Sequence, residues 1–338
     1  MPRPAFASAS RTISRSPRSP DGRPAPVVQT AADGPRHPRR VKVPGPVLSP
    51  ASVRFRPGFL PGLAFACGLL AVAPPAAAAS PQRIVALAPS AAEIVFALGA
   101  AERVVGVSDF AADLPESGGK AKLGGFAPDL ERIAALHADL AVVSRDGTDR
   151  RVGERLASLG VRVVATDATS LAGVFEDIRR VGVALGATAE AERLVAALEG
   201  RASAAQARST ARRGPVRPTA LALIWPDPPV VAGPATFIGD LLLRAGLANV
   251  VPGSAGEWPR VSYETLVGWN PRVLVRPETA ENGAAFRAAF APGSRWRLLP
   301  AAREGRVVVL PGAWLERPGP RLVDALEALV EKLREVAP

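Results

Sequence analysis

The chain has 338 residues, 48% of them hydrophobic, which is enough for two ordinary domains with packed cores. A net charge of +11 and a pI near 11.1 would suit a nucleic-acid-binding protein. The excess of positive charge is confined to the first part of the chain, however. Residues 1–79 contain 11 Lys and Arg against 2 Asp and Glu, whereas the remaining residues contain 31 Lys and Arg against 29 Asp and Glu. We therefore expect no nucleic-acid partner.

The basic first 79 residues have the organisation of an export signal. Residues 1–58 are rich in Arg, Pro and Ser without apolar periodicity, and we expect them to be disordered. Residues 59–73 form an apolar run that is too short for a stable membrane-spanning helix. Small residues follow as far as Ala79. This order predicts a cleavable signal peptide, a mature chain that begins near Ser80, and a periplasmic location.

Two features of this segment qualify the prediction. Translation is expected to start near Val53, because that start gives a signal peptide of ordinary length. Cys67 is the only cysteine and lies in the apolar run, so the mature protein is expected to lack disulfides and thiolate chemistry. Lipidation of Cys67 is an alternative, although Ala64 stands where a lipidation signal would have leucine. A single membrane anchor is the other alternative.

The segment that follows alternates between predicted strands and helices. The strands are short β-branched runs without polar alternation, as in buried parallel strands, at residues 83–88, 103–108, 139–144 and 162–166. Helices are predicted at residues 90–98, 129–136 and 148–159. Ser90 and Glu93 have the spacing of a capping box at the first of these. The alternation predicts an α/β lobe over residues 80–187.

A long helix is predicted to separate this lobe from a second one. Residues 188–212 are rich in alanine and charged residues, keep one helical period, and end before a Gly-Pro stop signal. Strands then follow at residues 219–225, 273–277 and 306–311, with helices near 236–245, at 263–269 and from about 321. The predicted fold class is therefore α/β, with two Rossmann-like lobes, 80–187 and 213–338, joined by one long backbone helix.

The second half of the chain repeats the first. Three segments recur in the same order: 129–142 as 262–275, 99–106 as 246–253, and 162–164 as 306–308. The repeat places Glu131 opposite Glu264, and His137, predicted to end a helix, opposite Asn270. Two similar lobes favour a ligand cleft between them.

Catalysis and direct metal binding are not expected. The segment after residue 79 contains one histidine and no cysteine, so no nucleophile–base pair is visible. The glycine-rich segment 119–125 lacks the spacing of a phosphate loop, which disfavours the alternative of an α/β enzyme. A site for a bare metal ion would require several converging His, Asp or Glu residues. We predict no catalytic residue, no cofactor and no directly bound metal.

Motifs along nearly the whole mature chain resemble a known family. They are RIVALAPSAAEIVFALG (83–99), VVGVSDF (104–110), PDLERIAALHADLAVV (128–143), WPRVSYETL (258–266) and WLERPGPRLVDA (314–325). Residues 82–336 thus resemble the class III, helical-backbone periplasmic binding proteins, and the last two motifs are most similar to cobalamin-binding members. The resemblance implies a monomeric receptor that captures a chelate, cobalamin, and delivers it to the permease dimer and ATPase subunits of an ABC importer.

The resemblance and the loop positions of aromatic residues predict a ligand site. The predicted ligand-binding residues are Phe110, Phe126, Trp225, Trp258, Trp314 and Arg317. Aromatic rings in loops offer flat apolar walls to a macrocycle. The sequence departs from the family pattern at Gly125, Ser144 and Ala313, which leaves a haem or an iron-siderophore as the alternative ligand. Arg145 and Arg260, with Arg317, would then supply cations.

The duplicated glutamates have a different predicted role. In the resembling family, carboxylates at the positions of Glu131 and Glu264 form salt bridges with arginines of the two permease subunits. The alternative is local, because a carboxylate in the first turn of a helix interacts favourably with the helix dipole.

Overall fold

A computed structural model describes residues 80–145, 148–211, 214, 216–280 and 282–336. The predicted signal peptide, Cys67 and the start near Val53 lie outside the described residues. Within those ranges, no helix combines the length and the apolar character that crossing a membrane requires.

The N-terminal lobe is built on five parallel strands. These are β1 (Ile84–Ala86), β2 (Val104–Val107), β3 (Ala121–Lys122), β4 (Leu140–Ser144) and β5 (Arg162–Thr166). Their order in the sheet is β3-β2-β1-β4-β5. The central strand β1 is buried throughout and β4 is buried except at Ser144, which explains why their sequences lack polar alternation.

Four helices cover this sheet. They are α1 (Pro89–Ala97), α2 (Leu130–Ala135), α3 (Arg150–Ser158) and α4 (Leu171–Leu185). Asp129 caps α2 as predicted, because its carboxylate accepts a hydrogen bond from the Arg132 amide at 2.9 Å. Helix α3 is capped by Asp149, one residue after the predicted start at Thr148.

The predicted capping box at the start of α1 is wrong. The helix begins at Pro89, and its N-cap, Ala88, makes no side-chain cap. Proline fits the first helical position because its missing N–H has no helical partner there. Ser90 and Glu93 are both buried inside the helix instead. Glu93 is bonded to residues of the other lobe, so a tertiary contact replaces the expected local one.

The linking helix, α5 (Thr188–Ala211), leads to a second, mixed sheet. Its strands are β6 (Thr219–Pro226), β7 (Pro229–Val231), β8 (Ala248–Asn249), β9 (Val273–Glu278) and β10 (Val307–Pro311). Their order is β10-β9-β6-β7, and β8 also pairs with β6. All pairs are parallel except β6–β7. The short strands β3 and β7 were not predicted from the sequence.

Six helices lie in the described residues of the C-terminal lobe. They are α6 (Phe237–Arg244), α7 (Tyr263–Trp269), α8 (Gly283–Ala289), α9 (Pro300–Arg303), α10 (Gly312–Leu315) and α11 (Leu322–Val336). Ser262 caps α7 through its hydroxyl, which accepts from the Thr265 amide at 3.2 Å. This cap corresponds to Asp129 in the first lobe, as the repeat predicts.

The strand registers confirm the internal repeat. Ala141 in β4 pairs with Val85 in β1 and Val163 in β5, and its counterpart Leu274 in β9 pairs with Leu221 and Val307. One of the three aligned segments is displaced. Ile84 pairs with Val104, whereas its counterpart Ala220 pairs with Asn249, two residues before the position that the alignment gave. A 3-10 turn at Ala101–Arg103, present only in the first lobe, accounts for the difference.

His137 and Asn270 share an unusual backbone conformation. Their φ angles are 50° and 43°, and they are the non-glycine residues with positive φ in the described ranges. Each lies just past the end of its helix, α2 or α7, where a left-handed residue ends helical hydrogen bonding. The structure therefore places His137 in the helix-ending role that the repeat predicted.

One apolar core passes through both lobes. It extends from the first sheet through α4, α5 and α11 into the second sheet, while smaller clusters fill the outer faces of the sheets. Helix α5 packs on α4 and on α11, so it contacts both lobes. Arg201 on α5 adds ion pairs at 2.6 Å to Asp324 and Glu327 on α11. The alanine-rich composition of α5 permits this close packing on two sides.

Two glycines provide a matched test of the α4–α5 contact. A Cβ atom at Gly182 would overlap that of Ala191, whereas one at Gly200 would meet open space. We expect Gly182→Ala to lower the free energy of unfolding by about 1–3 kcal/mol through overpacking. Gly200→Ala should raise it by about 0.5–1 kcal/mol, because alanine favours helix. Urea unfolding monitored by circular dichroism measures both; equal stability of the two variants would contradict the packing described.

Candidate functional site

A cleft of about 330 Å³ lies between the two lobes. Its lining comes from residues 87–90, 110, 125, 126 and 144 of the first lobe, and from residues 224, 237, 238, 258 and 315–318 of the second. Most of these residues follow the carboxyl ends of parallel strands, which is where ligands bind on α/β sheets. The repeated topology of the two lobes therefore brings two such edges to one cleft.

A larger depression of about 540 Å³ lies at the amino-terminal end of β6, against α11. Its lining includes Arg217, Arg272 and Arg334 and no aromatic residue among those described. It lies at the opposite end of the strand from the cleft, away from the predicted ligand-binding residues. We therefore assign the ligand site to the smaller inter-lobe cleft.

The first lobe contributes a pair of phenylalanines. The rings of Phe110 and Phe126 lie 4.9 Å apart between centroids, tilted by 59°, and both are exposed. Phe110 sits on a 3-10 turn that Ser108 caps by accepting its amide hydrogen at 3.3 Å. A Cβ atom at Gly125 would stand 2.8 Å from the Phe110 ring. The departure from the family pattern at Gly125 therefore makes room for this ring.

The second lobe contributes a matching pair, Phe237 and Trp258. Their ring centroids are 5.8 Å apart with an interplanar angle of 58°. Phe237 is buried at the start of α6, while Trp258 lies in the loop before α7. The Gly233 amide donates to the Glu257 carbonyl at 2.6 Å and holds that loop. Phe237 was missed from the sequence because an apolar residue after a helix cap is usually core.

Two of the predicted aromatic residues do not line the cleft. Trp225 points away and donates its Nε1 hydrogen to the Asp227 carbonyl at 2.9 Å. Its neighbour Ile224 lines the cleft instead, since adjacent strand residues point to opposite faces. Trp314 is half-buried and packs against the main core, while Leu315 of the same segment lines the cleft.

Arg317 lines the cleft, but its guanidinium is engaged by protein acceptors. Its Nη2 donates to the Phe110 carbonyl at 3.2 Å and to Asp113 Oδ1 at 2.8 Å. Its Nη1 lies 3.5 Å from Glu93 Oε1. All three partners belong to the first lobe, so this arginine bridges the lobes at the edge of the cleft.

Glu93 is a buried carboxylate with two cationic neighbours from the other lobe. Arg321 donates its Nε hydrogen to Oε1 at 3.1 Å and a second bond through Nη2. Burial raises the pKa of Glu93, while the hydrogen bonds and charges of Arg321 and Arg317 act in the opposite direction. A Cβ atom at position 319 would stand 2.6 Å from Oε2, so Gly319 permits the backbone to cover this carboxylate.

Asp113 completes the cluster at the edge of the cleft. Partial burial acts to raise its pKa, but the hydrogen bond and charge of Arg317 outweigh that effect and leave the pKa of Asp113 below its usual value. Asp113 is therefore ionised near neutral pH. Two carboxylates, Glu93 and Asp113, balance the two arginines.

The two glutamates predicted to dock to a transporter are exposed in equivalent places. Glu131 lies in the first turn of α2 and Glu264 in the first turn of α7. Hydrogen bonds from its own backbone amide and from Ser262 lower the pKa of Glu264. That local stabilisation agrees with the helix-dipole interpretation and leaves both carboxylates accessible to a partner.

Two of the arginines expected to bind a haem or an iron-siderophore lie outside the cleft. Arg145 pairs with Asp167 at 3.2 Å, and neither Arg145 nor Arg260 lines the cleft. Arg317 is the one cationic residue in the described lining. In the described part of the chain, no three or more His, Cys, Asp or Glu residues group as a metal site would require.

The geometry agrees with comparisons to known proteins. A family profile described as periplasmic binding protein matches residues 84–313. The chain belongs to this family. Its members bind solutes for transport and are not enzymes, and the class III fold with two lobes is confirmed.

Individual relatives differ in the ligand for which they are named. A cobalamin-binding protein of Halobacterium salinarum is 31% identical over 253 residues, covering 73% of this chain and 68% of the relative. The periplasmic vitamin B12 binding protein of Vibrio cholerae superposes with a TM-score of 0.66 at 22% identity, covering 76% and 98% of the two chains. A periplasmic haem-binding protein from Roseiflexus superposes with a TM-score of 0.68 at 28% sequence identity, and the match covers 76% of this chain and 99% of that protein. The family therefore includes receptors of the B12 and haem types.

Proposed function

We propose that the protein captures a corrinoid, cobalamin, in the inter-lobe cleft and delivers it to an ABC importer. The main support is the composition of the cleft. Each lobe contributes one aromatic pair to it, and Arg317, the one cationic residue in the described lining, is paired with the carboxylates of Glu93 and Asp113. Such a site holds its ligand by shape and apolar contact. The named cobalamin-binding relative supports the same ligand.

The lining residues favour a chelate whose metal needs no ligand from the protein. Haem iron in proteins is held by His, Cys, Met or Tyr. None of these residue types is among the described lining residues. The hydroxyl of Tyr263 donates instead to the Pro226 carbonyl at 2.9 Å, and His137 ends α2. Cobalamin supplies the axial ligands of its cobalt from its own lower base and upper ligand, which suits a lining without these side chains.

The charge of the cleft also favours a corrinoid over an anionic chelate. A haem or an acidic siderophore presents carboxylates or similar groups that require cationic partners. Arg317 is bound to Asp113 and Phe110, and the remaining charged residue of the lining is Glu316. An anion entering the cleft would have to displace Asp113 from Arg317. The amide-rich periphery of a corrinoid makes no such demand.

Trp258 and Trp225 provide a matched pair of variants for the ligand. They are exposed to nearly the same extent, 41% and 40%, but only Trp258 lines the cleft. We expect Trp258→Ala to weaken cobalamin binding by about 1–3 kcal/mol, the loss of one large aromatic contact. Trp225→Ala should leave the affinity unchanged.

Isothermal titration calorimetry of both variants with cobalamin measures this difference. Haemin and a ferric siderophore serve as competing ligands. Tight binding of either of these, with none of cobalamin, would contradict the proposed function and favour the alternative ligand class.

The proposal includes export and delivery. The basic, apolar and small-residue order of residues 1–79 supports secretion to the periplasm with a mature start near Ser80. The positions of Glu131 and Glu264, one on each lobe in equivalent first turns, support docking to a permease dimer. A dimer presents its basic residues twice, and two linked contacts bind more tightly than either alone.

Charge reversal at both positions tests the docking. We expect Glu131→Arg with Glu264→Arg to reduce permease binding and cobalamin uptake strongly, because two attractive contacts at the interface rim become repulsive. Cobalamin affinity of the isolated protein should not change, since neither residue lines the cleft. Reversal of Glu154, an exposed glutamate on α3, is the control. Normal uptake by the double variant would show that these glutamates only stabilise their helices.

A further inference from the structure

A compact group of charges joins the lobes at the edge of the cleft, apart from α5. Glu93 comes from α1 of the first lobe, and Arg317 and Arg321 come from the segment between α10 and α11 of the second. Asp113 shares Arg317 at the edge of the group. The buried backbone of Gly319 covers the Glu93 carboxylate, so the contact leaves no space for a side chain there.

The burial of these charged groups between the lobes has a high cost in free energy. Both Glu93 Oε2 and Arg317 Nη1 are buried; Oε2 has no hydrogen-bond partner among the described residues, and Nη1 makes only a long contact, 3.5 Å, with Glu93 Oε1. Burying charges with incomplete hydrogen bonding opposes folding, and replacing buried ion pairs by well-packed apolar residues is often neutral or stabilising in proteins. A directional ionic contact, however, specifies one relative placement of its partners, which an apolar surface does not.

The same group extends to the ligand-binding wall. The guanidinium of Arg317, which faces Glu93, also donates to the Phe110 carbonyl and to Asp113. The Phe110 carbonyl belongs to the 3-10 turn that carries the Phe110 ring, and Asp113 follows two residues after the end of that turn. The position of that ring relative to the second lobe is therefore set through Arg317, which is itself held between Glu93 and Asp113.

We propose that Glu93 is a positioning residue for ligand capture. Through Arg321 and Arg317 it fixes the spacing of the lobes and the place of the Phe110 wall opposite Trp258 before the ligand arrives. Arg317 then holds the two lobes in place and does not bind the ligand through its charge. The effect on affinity rests on the proposed function, whereas the effect on lobe spacing does not.

Inter-lobe distances test the first part without any ligand. The described chain contains no cysteine, so two exposed leucines, Leu159 on the first lobe and Leu298 on the second, can be changed to Cys for spin labels. The full chain also carries Cys67→Ser. We expect a narrow distance distribution in this background and a broader or shifted one with Glu93→Gln. Glu154→Gln, in an exposed pair with Arg150, is the matched control and should change nothing.

Cobalamin affinity tests the second part. If Glu93→Gln leaves the binding-competent spacing populated about one tenth of the time, the Kd for cobalamin rises about tenfold. Glu154→Gln should keep the original Kd. Failure of the unaltered protein to bind cobalamin would refute the proposed function, and the distance measurement would still decide whether Glu93 sets the spacing.

Two results would overturn the proposal. One is an unchanged distance distribution in Glu93→Gln, and the other is a broadened distribution with an unchanged Kd. Should Glu93→Gln fail to fold, Gly319→Ala replaces it, because the added methyl group pushes against the Glu93 carboxylate while all charges remain. The same broadening and the same loss of affinity are expected from Gly319→Ala.

Discussion

The buried contact of Glu93 with Arg321 and Arg317 is the constraint on which the geometry of the cleft depends. Helix α5 packs on α4 and α11 and keeps the lobes together, but none of its residues is in the described lining of the cleft. The ionic contact joins α1 to the segment that carries Arg317, and Arg317 in turn bonds the loop that carries Phe110. The backbone at Gly319 closes over the Glu93 carboxylate and leaves no space there for an added side-chain atom.

The chemistry of the cleft follows from this arrangement. Because Arg317 is held by Asp113 and the Phe110 carbonyl, the cation that the sequence offers to a ligand is already used within the protein. What remains accessible is apolar surface from both lobes, above all Phe126 and Trp258. A site of this kind discriminates by the size and shape of a flat ligand, and its breadth permits part of a large ligand to protrude into solvent.

Much of the fold could be predicted because it rests on local patterns and their repetition. The β-branched runs, the caps Asp129 and Ser262, and the paired helix ends at His137 and Asn270 all depend on neighbouring residues. The alignment of the duplicated segments agrees with the corresponding registers of the central strands in the two lobes. The displaced β8 pairing shows the limit, since a 3-10 turn in one copy shifts the strand by two residues.

The site was less predictable because it depends on contacts between distant segments. The S-x-x-E spacing at Ser90 and Glu93 suggested a local cap, yet Glu93 pairs with residues more than two hundred positions away. A carboxylate in the middle of the apolar helix α1 was the signal that it needed a distant partner. Phe237 was not predicted as a lining residue because the sequence of α6 has an ordinary amphipathic pattern. Whether Ile224 or Trp225 lines the cleft depends on the orientation of β6, which the sequence did not give.

A crystal structure of the mature protein with cobalamin bound would show directly how the cleft holds its ligand. We expect the corrin ring between the Phe110–Phe126 pair and the Phe237–Trp258 pair, with Arg317 still bonded to Asp113 and the Phe110 carbonyl. Cobalamin bound outside this cleft would contradict this expectation, as would an Arg317 that leaves Asp113 to pair with the ligand.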